Sequence, residues 1–242
     1  MLTFAPILFT QDKLSKKIIY IKFFMRTLSK LSLITILVII SSAMNAQSLP
    51  FSFGVKGGIN LSNFSGNSSE GGKARIGYNA GVMVDYRINS NLYVMSGLEV
   101  TEKGAKREGM LSLGNLSLDG NIKMNALYLQ LPLHVGYKMP LIGSTNVVIH
   151  AGPYLAYGIG GKTKMKGTGY AGEASMGIDT ESDFFSDTGH KHFDFGVGMG
   201  ANVEFGKLLT GIGYDFGLLN ISQNSEMTLR NMNAYLFLGY KF

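Results

Sequence analysis

The densest run of side chains that could do chemistry lies between residues 179 and 192. It holds Asp179, Glu181, Asp183, Ser186, Asp187, His190 and His192. The carboxylates could hold a hard cation, and His190 with His192 could contribute to a zinc site, but the intervals match no EF-hand loop. Ser186, Asp187 and His190 are also the residue types of a hydrolase nucleophile, orienting acid and base. A triad is defined by geometry, however, and any long polar segment supplies its parts. The stretch from Ala156 to Lys162-Thr163 approximates a phosphate-binding loop. It has Ala156 where the strict pattern has Gly, and Lys164 to Gly177 lacks the helical period whose N-terminus would receive a phosphate. Gly196-x-Gly198-x-Gly200 lacks the spacing of a dinucleotide loop. His134 and His150 fall on the polar registers of their segments, where packing accounts for them without ligation. The expectation is therefore a non-enzymatic protein with no catalytic, cofactor-binding or metal-ligating residues. The 179–192 stretch is then a solvated loop.

The elements that must position these residues are strands. The chain has 242 residues, 32 Gly, no Cys, no Trp and a formal charge of +6. From residue 47 onward it reads as eight alternating segments: Ser52–Leu61, Arg75–Ile88, Leu92–Lys103, Lys123–Lys138, Thr145–Gly158, His192–Phe205, Lys207–Leu219 and Leu229–Phe242. Period-two alternation is the signature of a sheet with two different faces. In the second segment Ile76, Tyr78, Val82, Val84 and Tyr86 oppose Gly77, Asn79, Gly81, Met83 and Asp85. In the sixth, Phe193, Phe195, Val197 and Met199 oppose Asp194, Gly196, Gly198 and Gly200. In the last, Met232, Ala234, Leu236, Leu238, Tyr240 and Phe242 oppose Asn231, Asn233 and Lys241, with Tyr235 and Phe237 on the polar side.

Connections alternate between long (Leu61–Ala74, Gly104–Ile122, Ile159–Lys191) and short (Asn89–Asn91, Met139–Ser144, Gly206), with Asn220–Thr228 of moderate length. Short turns at one end and long loops at the other, with an apolar outer face, predict an all-β, eight-stranded antiparallel up-and-down transmembrane β-barrel. Both termini then lie on the side of the short turns. Eight strands leave an interior that side chains can fill. Lys56, Asp85, Arg87, Glu99, Lys103, Lys138, Asp194, Glu204, Asp215 and Lys241 are expected to pair inside it and plug it. Pro132, which cannot donate to a ladder, predicts a local bulge.

The N-terminal region reads differently. Leu31 to Ile40 is an apolar run preceded by Arg26 and Lys30 and followed by Ser41-Ser42-Ala43-Met44-Asn45-Ala46. This order predicts a cleavable signal peptide over residues 25–46, cut after Ala46, with residues 1–24 an over-long gene start. Residues 1–46 carry six Lys/Arg and one Asp, so the remaining chain has 16 Lys/Arg against 15 Asp/Glu. The basic balance belongs to the leader, and no basic stripe argues for nucleic acid. The absence of Cys excludes a disulfide framework.

Four phrases carry a family resemblance: Phe53-Gly54-Val55-Lys56-Gly57-Gly58-Ile59-Asn60-Leu61, Leu127-Tyr128-Leu129-Gln130-Leu131-Pro132-Leu133, His150-Ala151-Gly152-Pro153-Tyr154 and Phe193-Asp194-Phe195-Gly196-Val197-Gly198. Over residues 48–242 the chain resembles the PorT-like outer-membrane β-barrel family of Bacteroidota, often called porin family proteins. The resemblance implies an eight-stranded barrel with no common catalytic residue, and it accommodates Pro132. The aromatic end of the last strand resembles the closing strand of bacterial outer-membrane barrels, which the barrel assembly machinery reads at the position of Phe242. The location expected is the outer membrane of a Gram-negative cell. The expected partners are outer-membrane lipid, the assembly machinery, and an extracellular ligand or envelope protein met by the loops. The chain is expected to be monomeric. Rival readings are a narrow transport pore, a lipid-modifying outer-membrane enzyme and a soluble lipocalin-like carrier.

Overall fold

The computed structural model describes residues 50–67, 72–113, 116–171, 174–186, 189–224 and 226–242. The proposed leader, its cleavage point and Asp187 lie outside these residues. Among the described residues there is no α-helix. The strands are β1 (Phe51–Ser65), β2 (Gly72–Arg87), β3 (Leu92–Leu113), β4 (Leu116–Pro140), β5 (Thr145–Ala171), β6 (Ala174–Asp183), β7 (Phe193–Phe205), β8 (Leu208–Gly217) and β9 (Arg230–Lys241).

They form one antiparallel sheet of nine strands in the order β4-β3-β2-β1-β9-β8-β7-β5-β6, and β4 also pairs with β5. The circuit β1-β2-β3-β4-β5-β7-β8-β9 therefore returns to β1, so each of these strands has a hydrogen-bonded neighbour on both sides. Side chains alternate across this sheet as the sequence pattern requires. Ile76, Val82, Met199, Ile212 and Leu238 are exposed on one face, whereas Asn79, Asp85, Asp194, Glu204 and Asp215 are buried on the other. An apolar outside and a charged inside is the reverse of a soluble carrier.

The sheet has nine strands where the sequence pattern marks eight segments. The added strand is β6, which forms a hairpin with the outer part of β5, from Lys162↔Asp183 to Ala171↔Ala174. Two segments expected to be loops are mostly ladder. Residues 104–113 and 116–122 continue the β3–β4 pairing, and β5 runs on to Ala171. Their Gly, Thr and Lys content has weak periodicity, but cross-strand bonding supplies the backbone groups with partners. Arg87, expected inside, is exposed at the end of β2.

No bulge occurs at Pro132. The register is the same on both sides of it, from Glu99↔Gln130 to Ser96↔Leu133 and from Pro132↔Tyr154 to Val135↔Ala151. The ring removes one donor without inserting a residue, and the Ser96 hydroxyl donates to the Pro132 carbonyl at 2.8 Å. The irregularities lie elsewhere. β5 gains a residue at Ile159, between Tyr128↔Gly158 and Leu127↔Gly160, and β2 gains one between Ala74 and Asn79 opposite β3.

The short turns are specified locally. Asn89 Oδ1 accepts from the N–H groups of Asn91 and Leu92 at 2.9 and 2.8 Å, closing the β2–β3 turn. Between β7 and β8 the two-residue turn Gly206-Lys207 needs a left-handed first position, and Gly206 has φ 60°. No neighbour crowds this glycine, so Gly206→Ala tests backbone conformation alone. We expect a loss of about 1–2 kcal/mol in urea unfolding, with the folded-state circular dichroism unchanged.

Candidate functional site: the charged interior and its covered mouth

The inward residues form three layers between the turn end and the mouth. At the turn end, the penultimate residue Lys241 bonds to Asp85 and to Glu204, the latter at 2.5 Å. Lys138 reaches the other oxygen of Glu204 at 2.7 Å and lies 4.4 Å from the ring centre of Tyr93. In the middle layer Lys56 meets Glu99 at 2.5 Å and lies over the rings of Tyr235 and Phe237. Gln130 donates to Glu99 and to Asp215, both at 3.0 Å. Here Nδ1 of His134 and Nδ1 of His150 are 2.9 Å apart, so one imidazole donates to the other. The remaining interior space of this layer is a cavity of about 50 Å³. That is room for a few waters, each needing about 10–15 Å³ of such space.

The third layer is fully buried. Lys103 Nζ lies 3.6 Å from Asp194 and 4.3 Å from the ring centre of Tyr154. Asp194 also accepts from the Tyr154 hydroxyl at 3.1 Å and from the Asn231 amide at 2.9 Å. Alternation places Tyr128 and Tyr154 on the inward register, so these rings were legible in the sequence, though charge alone singles out only Lys103 and Asp194. Above them sits an apolar cover: Phe64, Phe184, Ile221 and Leu229 pack on Tyr128 and Tyr154.

Residues 184–186 and 189–192 supply much of this cover. Phe184 N–H donates to Gly161 O at 3.0 Å, and Lys191 N–H donates to Ile221 O at 2.7 Å. His190 stacks on Phe184 with ring centres 4.0 Å apart, and its Nδ1 lies 3.2 Å from Phe184 O. Burial pushes the His190 pKa below the usual imidazole value. His192 stacks between Tyr157 and Phe185, with Nδ1 2.7 Å from Gly158 O. The two imidazoles are thus wall and lid, held by rings and carbonyls.

Asp179, Glu181 and Asp183 of the same stretch are placed apart from them on β6. Asp179 meets Lys166 at 2.9 Å, and Glu181 binds Lys162 and, at 2.8 Å, Lys164. Those two lysines push the Glu181 pKa down to about 2. Ser186 O accepts from Gly189 N–H and Gln223, which ties down the cover. Among the described residues no group of three or more His, Asp or Glu side chains is arranged to hold a metal. The approximate phosphate loop at 156–163 is β5 strand.

The period-two glycines of β7 have a specific use. Each faces a ring: a Cβ at Gly196 would lie 2.6 Å from Tyr154, at Gly198 2.9 Å from His134, and at Gly200 2.7 Å from His150. They form a flat wall on which the rings lie.

A closed, antiparallel circuit with an apolar outside and a paired, charged inside defines the class. The chain belongs to the family described as outer membrane protein beta-barrel domain, whose model matches residues 45–223. It is an outer-membrane protein. Among solved structures it is similar to Ail, the attachment invasion locus protein of Yersinia pestis (14% identity, covering 80% of this chain and 100% of that one, TM-score 0.39). It is also similar to Neisserial surface protein A (15%, 78% and 97%, TM-score 0.35). A third is the N-terminal beta-barrel domain of Pseudomonas aeruginosa OprF (9%, 78% and 97%, TM-score 0.27). No curated protein sequence matches it.

Proposed function

We propose that the protein is a monomeric, eight-stranded up-and-down transmembrane barrel of the PorT-like kind found in Bacteroidota, with β6 outside the ring. It is exported by the signal peptide at 25–46 and assembled through the strand ending at Phe242. It is non-enzymatic and conducts no solute, and it acts through envelope structure and through contacts made by its extracellular face. The observation that carries this reading is the filled interior: three layers of paired charges beneath an apolar cover in which Phe184 and Ile221 are completely buried. An ion crossing it would have to break buried pairs, each costing several kcal/mol to separate. The stacked, carbonyl-bound His190 and His192 favour a structural over a catalytic role.

Two measurements test it. The detergent-extracted protein should migrate differently before and after boiling on SDS gels, as a closed barrel does. In planar bilayers it should give no steady single-channel steps. Steady steps whose size follows salt concentration would replace this reading with the narrow pore. A change in lipid acylation on overexpression that disappears in Ser186→Ala would replace it with a lipid-modifying enzyme.

A further inference from the structure

Four lysines stand in one row across four adjacent strands. The registers Lys73↔Lys106, Lys106↔Lys123 and Lys123↔Lys164 join β2, β3, β4 and β5 without a gap. Lys162 and Lys166 flank the row on β5, two residues away on the same face. Like charges directly opposite one another in a sheet are destabilising, so the arrangement needs a reason.

Two bulges create it. On β5, Gly152, Tyr154, Ala156 and Gly158 share a register, and Tyr154 and Ala156 are buried in the core. Unbroken alternation would carry Lys162, Lys164 and Lys166 onto the same inner face. The extra residue at Ile159 turns them outward instead. The extra residue between Ala74 and Asn79 aligns Lys73 with Lys106 in the same way. Lys106 and Lys123 are outward by plain alternation, because Lys103 and Ala105, and Ala126 and Tyr128, point into the core.

Three carboxylates meet part of this charge. Glu108 takes Lys73 at 2.5 Å, Glu181 takes Lys162 and Lys164, and Asp179 takes Lys166. Lys106 and Lys123 share with Lys73 the field of Glu108, which makes its direct ion pair with Lys73. The row also lies close to the apolar belt. Lys73 is three residues beyond exposed Ile76, and Lys162 three beyond exposed Ile159. Three residues span about 10 Å along a strand, and less in height when the strand tilts. Lysine stems can also lean toward the interface. The ammonium groups therefore sit at headgroup level on the side of the long extensions.

We infer that this lysine row is a binding surface for the phosphate groups of a phosphorylated glycolipid in the outer leaflet. The inference rests on the membrane-spanning reading above. Lysine serves phosphate as a point charge, and a phosphate bridging Lys106 and Lys123 removes the repulsion between them.

The test uses the full mature chain folded in phosphatidylcholine vesicles containing either diphosphoryl lipid A or its dephosphorylated form. The boiling-dependent gel shift is checked first in lipid-free detergent. A chain that shows no shift there fails the barrel reading itself. For the shifted protein, co-purification with the diphosphoryl lipid should exceed that with the dephosphorylated lipid. It should also weaken with added salt. Lys106→Gln and Lys123→Gln should each lower retention, by roughly fivefold per lysine. Glu181→Gln, which frees Lys162 and Lys164, should raise it, a gain that misfolding cannot mimic. Equal retention of the two lipids, unchanged retention in the double variant, or full competition by millimolar inorganic phosphate would overturn the assignment to lipid.

Discussion

Lys103→Met should destabilise the folded protein by about 3–5 kcal/mol, the largest single effect expected from the charged interior. Lys103 is completely buried, and its partner Asp194 is equally buried 3.6 Å away. Methionine keeps the stem and removes the charge. Asp194 would then hold an uncompensated negative charge with only the Tyr154 hydroxyl and the Asn231 amide as donors. The reverse change, Asp194→Asn, leaves the ammonium supported by the faces of Tyr154 and Tyr128, at 4.3 and 5.5 Å, and by the field of Asp215. It should cost a comparable amount. The double variant is the informative comparison. With both charges gone, the isosteric Asn can still accept from Tyr154, and the site becomes an ordinary neutral layer. We expect it to be more stable than the sum of the single losses predicts, with a coupling of about 2–3 kcal/mol. Urea unfolding in lipid vesicles, followed by loss of the gel shift, measures all three. Strict additivity would mean that the pair does not interact across the interior.

The second large effect is expected at Gly196. A Cβ there would lie 2.2 Å from the Phe216 carbonyl and 2.6 Å from the buried ring of Tyr154. Neither can retreat: the carbonyl belongs to the β7–β8 ladder, and the ring is packed under the apolar cover. Gly196→Ala should therefore cost about 2–3 kcal/mol, the upper range for overpacking. Gly57 is the natural control. It also sits in a strand, but its nearest neighbour would be the Asn79 carbonyl at 3.8 Å. Gly57→Ala should be neutral or stabilising by up to about 1 kcal/mol, because it only restricts the unfolded chain. The comparison separates a glycine kept for space from one that is replaceable. Similar losses at both positions would mean that strand glycine in general is at stake, rather than the contact with Tyr154.

The site is legible in the sequence to an uneven degree. The inward placement of Lys56, Asp85, Glu99, Lys103, Lys138, Asp194, Glu204, Asp215 and Lys241 follows from period-two alternation within single segments. Arg87 departs from that pattern because it lies at the strand end, where a side chain can turn to solvent. The 179–192 stretch reads as one loop in the sequence and is two things in the fold. Asp179, Glu181 and Asp183 belong to β6 and the histidines to the mouth, and the hairpin with β5 separates them.

By itself, then, the chain determined, within each unbroken segment, which residues share the apolar outer face and which the polar inner one. That division is a property of the extended backbone, whose side chains alternate whatever the partner strand. It also determined the tight turns at Asn89 and Gly206, because these depend on one or two residues. The tertiary structure alone decided the register. Register selects which lysine meets which carboxylate, lays Tyr154, His134 and His150 on the glycines of β7, and extends β5 into a hairpin. It also decided the two bulges. One extra residue reverses the facing of everything beyond it, and nothing local at Ile159 announces that reversal. The lysine row on the outer face exists only because the neighbouring strands, paired over their full length, fix where the extra residue falls.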